Sequence, residues 1–246
     1  IAREHGETAL AEHDVHDPPA ELEDGRRGEQ GVHTSFSYTL QETGEEKFVG
    51  VPEQGGRDLI STDPVAPGTV YTAGVTSDGT VGLYRLEVSV SSGTGKLKLA
   101  GGIAGAMKES VQRAFSYLQA KKSDLGIARD LDVSDLHVEV IDLLANRVEA
   151  ELGVAFFVAC YSAMRKAPVT PALLILGDMS VQGNIKPLRS LVEPLQVAKD
   201  NGAKRALIPI ENKRNFLDVS ADIMEHGDPI FFGDPKTAAM KVLGGP

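Results

Sequence analysis

Apolar and polar positions divide this chain into an unpatterned opening and a patterned remainder. Residues 1 to about 33 show no helix or strand period and include Pro18-Pro19 and Gly25-Arg26-Arg27-Gly28. They read as an acidic, flexible linker with too little apolar surface to offset the entropy of ordering, and are expected to be protease-sensitive. From Thr34 the pattern changes. Phe36 to Leu40 and Lys47 to Val51 alternate around a polar turn at 42–45, a hairpin signal. A second hairpin is expected from Val70 to Val75 and Val81 to Val88, turning at Asp78-Gly79, with a short strand at Leu97-Lys98-Leu99.

Helical spacing follows. Ile103, Met107, Val111, Ala114 and Leu118 form one stripe, with Lys108, Glu109, Gln112 and Arg113 opposite and Gly126 as the expected stop. Leu136 to Val140 alternates as a strand. Leu152 to Met164 is apolar almost all round and predicts a central buried helix. Pro171 to Leu176 is a short apolar run of interior-strand type. A strand segment at Ser180-Val181-Gln182, a helix over 192–199, strands at 205–208 and 229–232, and a last helix complete the pattern. Asp234 is its N-cap, Pro235 sits in its first turn and Gly244 ends it. Strands first, then alternating helices and strands, predict an α+β or mixed α/β domain with helices packed on a sheet. There is no internal repeat.

Composition narrows the chemistry. The chain has 246 residues, 41% hydrophobic and 24% charged, with a net charge of −10. The acidic balance argues against this chain alone coating nucleic acid, since phosphate binding needs clustered Lys and Arg. No apolar run spans a bilayer and no basic-then-apolar leader opens the chain, so a cytoplasmic protein without a membrane anchor is expected. A first residue of Ile1 rather than Met reads as a fragment. No phosphate-binding loop of the G-x-x-x-x-G-K-[ST] kind occurs. Cys160 reads as a buried free thiol, and His137 as a packed or solvent-facing strand residue. His13 and His16 in the acidic opening are too few to make a metal site. No cofactor or metal is expected in this chain.

Several segments together resemble the proteolytic domain of Lon proteases. Gly177 to Gly183 is similar to the family's G-E-I-T-L-R-G strand, and Leu207-Ile208-Pro209-Ile210-Glu211-Asn212-Lys213-Arg214 to its I-P-x-x-N-K-R turn. Gly93-Thr94-Gly95-Lys96-Leu97, Met107 to Ala114 and Asp135-Leu136-His137-Val138 resemble its G-x-G-x-L, M-x-E-S-x-x-x-A and D-I-H-V segments. The likeness runs from about Thr69 to the C-terminus. It divides the chain into the linker 1–33, a β-hairpin extension 34–64 and a Lon-like C-terminal domain 65–246.

The resemblance implies a serine–lysine peptidase, and the residues that would carry it are missing. Read without gaps, the nucleophile motif P-K-D-G-P-S-A-G falls on Asn146 to Gly153, with Glu151 at the serine. The general-base lysine is Pro194, and the polarising threonine is Leu176. A serine hydroxyl needs a neighbour to take its proton, and proline has no titratable group. Two sets of residues could substitute. An acidic cluster of Asp142, Glu149, Glu151 and Asp178 could support acid–base or metal chemistry, although Glu149 and Glu151 also suit a loop entering a helix. Ser162 and Lys166, four apart on one helix, could touch. An ATP-dependent Lon-type protease with a displaced or altered site is the alternative to an inactive domain.

Phe115 to Ala120, Val49 to Gly56 and Glu151 to Ala159 further resemble the Lon-like proteins of bacterial BREX phage-exclusion systems. That likeness implies an AAA+ ATPase upstream, with ATP bound there and not here. It also implies self-association into a ring, expected to be hexameric, and DNA contact only through the upstream domains.

Overall fold

The computed structural model describes residues 34–39, 46–51, 58–76, 79–100, 103, 105–215, 219 and 228–243. The segment 1–33 with His13 and His16, the turn at 42–45, Asp78 and Gly244 lie outside the described residues. The chain forms two compact units, Ile1–Gly56 and Arg57–Pro246.

In the first unit β1 (Thr34–Thr39) pairs antiparallel with β2 (Glu46–Val51), placing Phe36 opposite Val49. The alternation read from the sequence is therefore a hairpin ladder.

The second unit is built on a seven-stranded sheet. Its strands are β3 (Thr69–Val75), β4 (Val81–Ser92), β5 (Leu97–Leu99), β6 (Ser134–Asp142), β7 (Leu173–Ile175), β10 (Arg205–Pro209) and β11 (Asp228–Phe232). The order across the sheet is β11-β10-β7-β3-β4-β6-β5. β11, β10, β7 and β3 run parallel; β4 is antiparallel to β3 and β6, and β5 is parallel to β6. β4 alone therefore runs against the other six.

Period-two alternation sends successive residues to opposite faces. Leu173, Ile175 and Leu207 join one apolar cluster, and Leu174, Leu176, Ala206 and Ile208 join another. The first face carries α1 (Gly105–Lys121), α3 (Gly153–Arg165) and α5 (Pro235–Val242). The second carries α4 (Val192–Asp200). Every residue of α3 except Arg165 is buried, as its all-round apolarity predicts. Asp234 caps α5 by accepting the Thr237 N–H at 2.9 Å, with Pro235 in the first turn.

Several expectations need correction. The first long helix ends at Lys121, not Gly126. The Leu125 N–H still reaches the Lys121 carbonyl at 2.9 Å, and Gly126 then takes φ +70° in the turn that leads to α2 (Ala128–Asp132). The strand expected at Ser180-Val181-Gln182 is a hairpin. β8 (Asp178–Met179) pairs with β9 (Ile185–Lys186), and the Ser180 and Gly183 N–H groups close the turn between them. Residues 58–61 belong with the large unit. Ile60 is fully buried beside Tyr71, and Ser61 accepts the Ala172 N–H at 3.0 Å. Among the described residues no helix is long and apolar enough to cross a membrane.

Candidate functional site

A cleft of about 290 Å³ opens at the carboxyl ends of β3 and β7, the place where open α/β sheets collect ligands. Its walls are the end of β3 (Ala73 to Val75), the loop Glu149 to Glu151, Gly177-Asp178, and the segment Lys186 to Ser190. Gly177, at φ +110°, lets the chain leave β7 and enter β8 in a conformation that favours glycine.

Asp178 is the centre of the site. It is 5% exposed, and four donors converge on its carboxylate. Oδ1 accepts the Gly153 N–H at 3.0 Å and the Ser110 hydroxyl at 3.3 Å. Oδ2 accepts Arg113 at 3.0 Å and the Lys186 ammonium at 2.9 Å. The carboxylate thus ties α1, the first turn of α3 and β9 into one unit. Negative charge at a helix N-terminus is also favoured by the helix dipole. Glycine at position 153 makes room for this contact: a Cβ there would lie 2.4 Å from Asp178 Oδ1 and push the carboxylate off its donors. The Ser110 hydroxyl accepts the Leu152 N–H at 3.1 Å, so a second free donor at the start of α3 is used.

Glu151, at the expected nucleophile position, is half-exposed and bound to Arg113 at 2.7 Å, with Lys186 at 3.4 Å. Leu176 is fully buried and packs with Tyr71 and Ala73 on the α4 face. Pro194 is buried in the first turn of α4, where a missing N–H costs nothing. The three positions inherited from the peptidase pattern therefore present a paired carboxylate and two apolar side chains.

The acidic cluster is divided. Glu151 and Asp178 share Arg113 and Lys186. Asp142 instead accepts the N–H groups of Leu144 at 3.1 Å and Arg147 at 2.8 Å, holding a turn in which Ala145 and Arg147 have positive φ. Glu149 lines the cleft beside Gly105. Among the described residues no three His, Cys, Asp or Glu side chains gather in a metal-holding arrangement.

The helical pair Ser162 and Lys166 is separated by function. The buried Ser162 hydroxyl donates to the Ala167 carbonyl at 2.6 Å and accepts the Gly68 N–H at 2.9 Å. Lys166 is the left-handed cap of α3. His137 lies 2.9 Å from the Ser91 hydroxyl, away from the cleft lining. Cys160 is fully buried, and burial pushes its thiol up to about 12.

Sequence reasoning missed Arg113, Ser110 and Lys186. Arg113 was assigned to the polar face of its helix, yet it is only partly exposed and turns into the cleft. The available signal was Ser110, a hydroxyl standing on an otherwise apolar stripe. The lysine and the serine in the cleft lining each engage a carboxylate. The hydrogen bond to Asp178 raises the Lys186 pKa, so this amine stays protonated. Ser190 donates to Glu193, which lowers the glutamate's pKa.

Comparison with known proteins identifies the family. The family model of the Lon protease C-terminal proteolytic domain matches residues 42–232. The chain is 33% identical over 211 residues to the Lon-like protease BrxL of Escherichia coli O9:H4 strain HS, covering 85% of this chain and 30% of that protein. It is 31% identical to the Lon-like protease BrxL of Bacillus cereus strain H3081.97, covering 88% of this chain and 32% of that one. A Lon protease of Buchnera aphidicola (strain Sg) is 33% identical over 144 residues, 58% of this chain and 18% of its own length. The chain thus spans about a third of the length of the BrxL relatives.

Proposed function

The chain belongs to the Lon proteolytic-domain family, and we propose that it is a catalytically inactive member that supports ring assembly of an AAA+ phage-defence protein. One observation carries the reading: Glu151, at the position aligned with the Lon serine, is a carboxylate held by Arg113 and Lys186 of the Asp178-centred cluster, while the positions aligned with the base and the polariser are the buried Pro194 and Leu176. A paired carboxylate is no nucleophile for acyl transfer, and neither Pro194 nor Leu176 can move or polarise a proton. In a serine protease, loss of nucleophile or base alone costs on the order of 10⁶ in kcat. What the fold retains is shape. A self-association surface rests on packing and does not need the catalytic side chains. ATP binding, the hexameric ring and a cytoplasmic setting belong to this proposal, with the ATPase module on the remaining length of the BrxL-like protein.

The test is peptidase activity. Incubation with casein and with a fluorogenic peptide is expected to give no cleavage above buffer. The rival reading is a Lon-type protease with an altered site, and the presence of both Lys186 and Ser190 in the cleft lining favours it. Turnover that disappears in Lys186→Ala or Ser190→Ala would establish the rival and overturn the inactive-domain reading.

The partner assignment has its own test. With 35 acidic against 25 basic side chains, the mean field of this chain repels phosphate. Anisotropy titration of a labelled duplex at physiological salt is expected to give a Kd weaker than about 100 µM, beyond the usual non-specific range. Micromolar binding with a steep salt dependence would place a nucleic-acid surface on this domain.

A further inference from the structure

β4 outlasts its neighbour. β3 begins at Thr69, opposite Glu87, while β4 continues to Ser92 and stays paired with β6 throughout. The last five residues of β4, Val88 to Ser92, therefore carry a strand on one side only, among the described residues. The Val88 N–H points to the other side, where it meets the Gly68 carbonyl at 3.0 Å. Alternate residues of an antiparallel strand turn their polar backbone groups to the same edge. Val90 and Ser92 thus face that open edge too, beyond the reach of β3.

The edge lies in a groove. Two cavities of about 480 and 470 Å³ meet there and share Val90, Ala163 and Lys166. Val90 is 42% exposed, an apolar side chain beside an edge that could pair with another chain. The C-terminal turn of α3 adds Arg165 and Lys166, neither with an ion-pair partner among the described residues, and Lys166 is held there at φ 51°. On the same stretch the carboxylate of Glu87 is bound by Arg85 at 2.8 Å. Asp130 and Glu139 are the remaining acids of the lining, one at each end.

We propose that this edge receives an extended segment of a partner protein as an added strand. The segment carries an apolar residue against Val90 and an acidic residue beside Arg165 and Lys166. Backbone hydrogen bonds to Val90 and Ser92 supply affinity, and the cations of Arg165 and Lys166 select the charge. The site is separate from the inherited cleft, since the two share no lining residue.

The experiment uses the 246-residue chain and three fluorescein-labelled peptides with a Val-Thr-Val-Thr-Val core. One carries Asp-Asp-Glu at its N-terminus, one at its C-terminus, and one carries Lys-Lys-Lys. Anisotropy is expected to show binding by an acidic peptide and at least about fivefold weaker binding by the basic one, in keeping with interface charge selection. Val90→Pro removes the outward N–H while leaving the β6 ladder intact, and is expected to weaken binding about tenfold, the equivalent of one lost hydrogen bond. Lys166→Gly removes a charge and suits the left-handed φ. It is expected to weaken binding while leaving or raising Tm, which separates recognition from folding. Slowed hydrogen exchange at the Val90 amide on peptide addition would support strand addition without any mutation. The proposal is overturned if no acidic peptide binds, if the basic one binds equally well, or if Val90→Pro folds and binds unchanged. A dimer of the chain that dissociates on Val90→Pro, with no peptide bound, would assign the edge to a second copy and also overturn it.

Discussion

Asp178→Ala is expected to lower stability by about 3 kcal/mol, the lower end for breaking a buried ion pair. The carboxylate is almost inaccessible and answers four donors. Alanine leaves the Gly153 N–H without its acceptor at the start of a buried helix, and leaves Arg113 and Lys186 facing each other. The full penalty for a buried pair is not expected, because Lys186 is 44% exposed and water can reach it. At about 2–4 °C per kcal/mol for a domain of this size, Tm should fall by roughly 6–12 °C. Asp178→Asn should cost less, since its amide oxygen can still accept from Gly153. Glu151→Gln supplies the contrast. Glu151 is half-exposed and holds its partners at the rim, so its loss should stay within about 1 kcal/mol, as for surface pairs. Urea denaturation of the three variants decides the matter. Equal effects at 151 and 178 would show that Asp178 is not the centre of the cluster.

That contrast bears on function. A peptidase cleft must leave a nucleophile accessible and its base neutral for part of the time. Here the lysine is bonded to a buried carboxylate and stays charged, and Glu151 is drawn to an arginine. The same side chains that fill the cleft join α1, α3 and β9 to one another. The charges of the cleft are thereby bound into structure, which supports the proposal that the domain is inactive as a peptidase.

Much of this was legible in the residues. The strands at 69–75, 81–92 and 134–142 lie where the residue pattern put them, and a one-residue slip would send every side chain to the opposite face of the sheet. The buried helix 153–165 announced itself by having no polar face. The short elements were harder. β8 and β9 have two residues each, too few for a period to show, and their turn uses Ser180 and Gly183 in what looked like a continuing strand. The end of α1 was misplaced because Gly126 marks the close of a turn after the helix and not the helix cap. At the site, Glu151, Leu176 and Pro194 could be aligned from sequence, but their partners could not. Arg113 is 38 residues from Glu151 and 65 from Asp178, and only the packing of α1 against α3 brings them together.

Phe157→Ala is expected to cost about 4 kcal/mol, within the range for emptying a buried phenylalanine site. Phe157 is fully buried at the middle of α3. Its ring meets Tyr117 of α1 edge-on, with centroids 5.4 Å apart and planes at 75°. It stacks on Tyr161 at 6.0 Å and 5°. Alanine removes the ring from between two others, and α3 is covered by the sheet, α1 and α5, so its surroundings have little freedom to close the gap. Each aromatic pair adds about 0.5–1.5 kcal/mol beyond burial, so Phe157→Leu should lose that part and keep most of the rest. The same helix starts at Gly153, whose N–H sits on Asp178, so loosening its middle should also weaken the cleft's ion cluster. Urea unfolding at constant m-value measures the first effect. Faster hydrogen exchange at Gly153 in Phe157→Ala measures the second. A loss under about 1 kcal/mol would show that the aromatic ladder does not hold α3 in place, and the typical cost of a large-to-small core change makes that outcome easy to recognise.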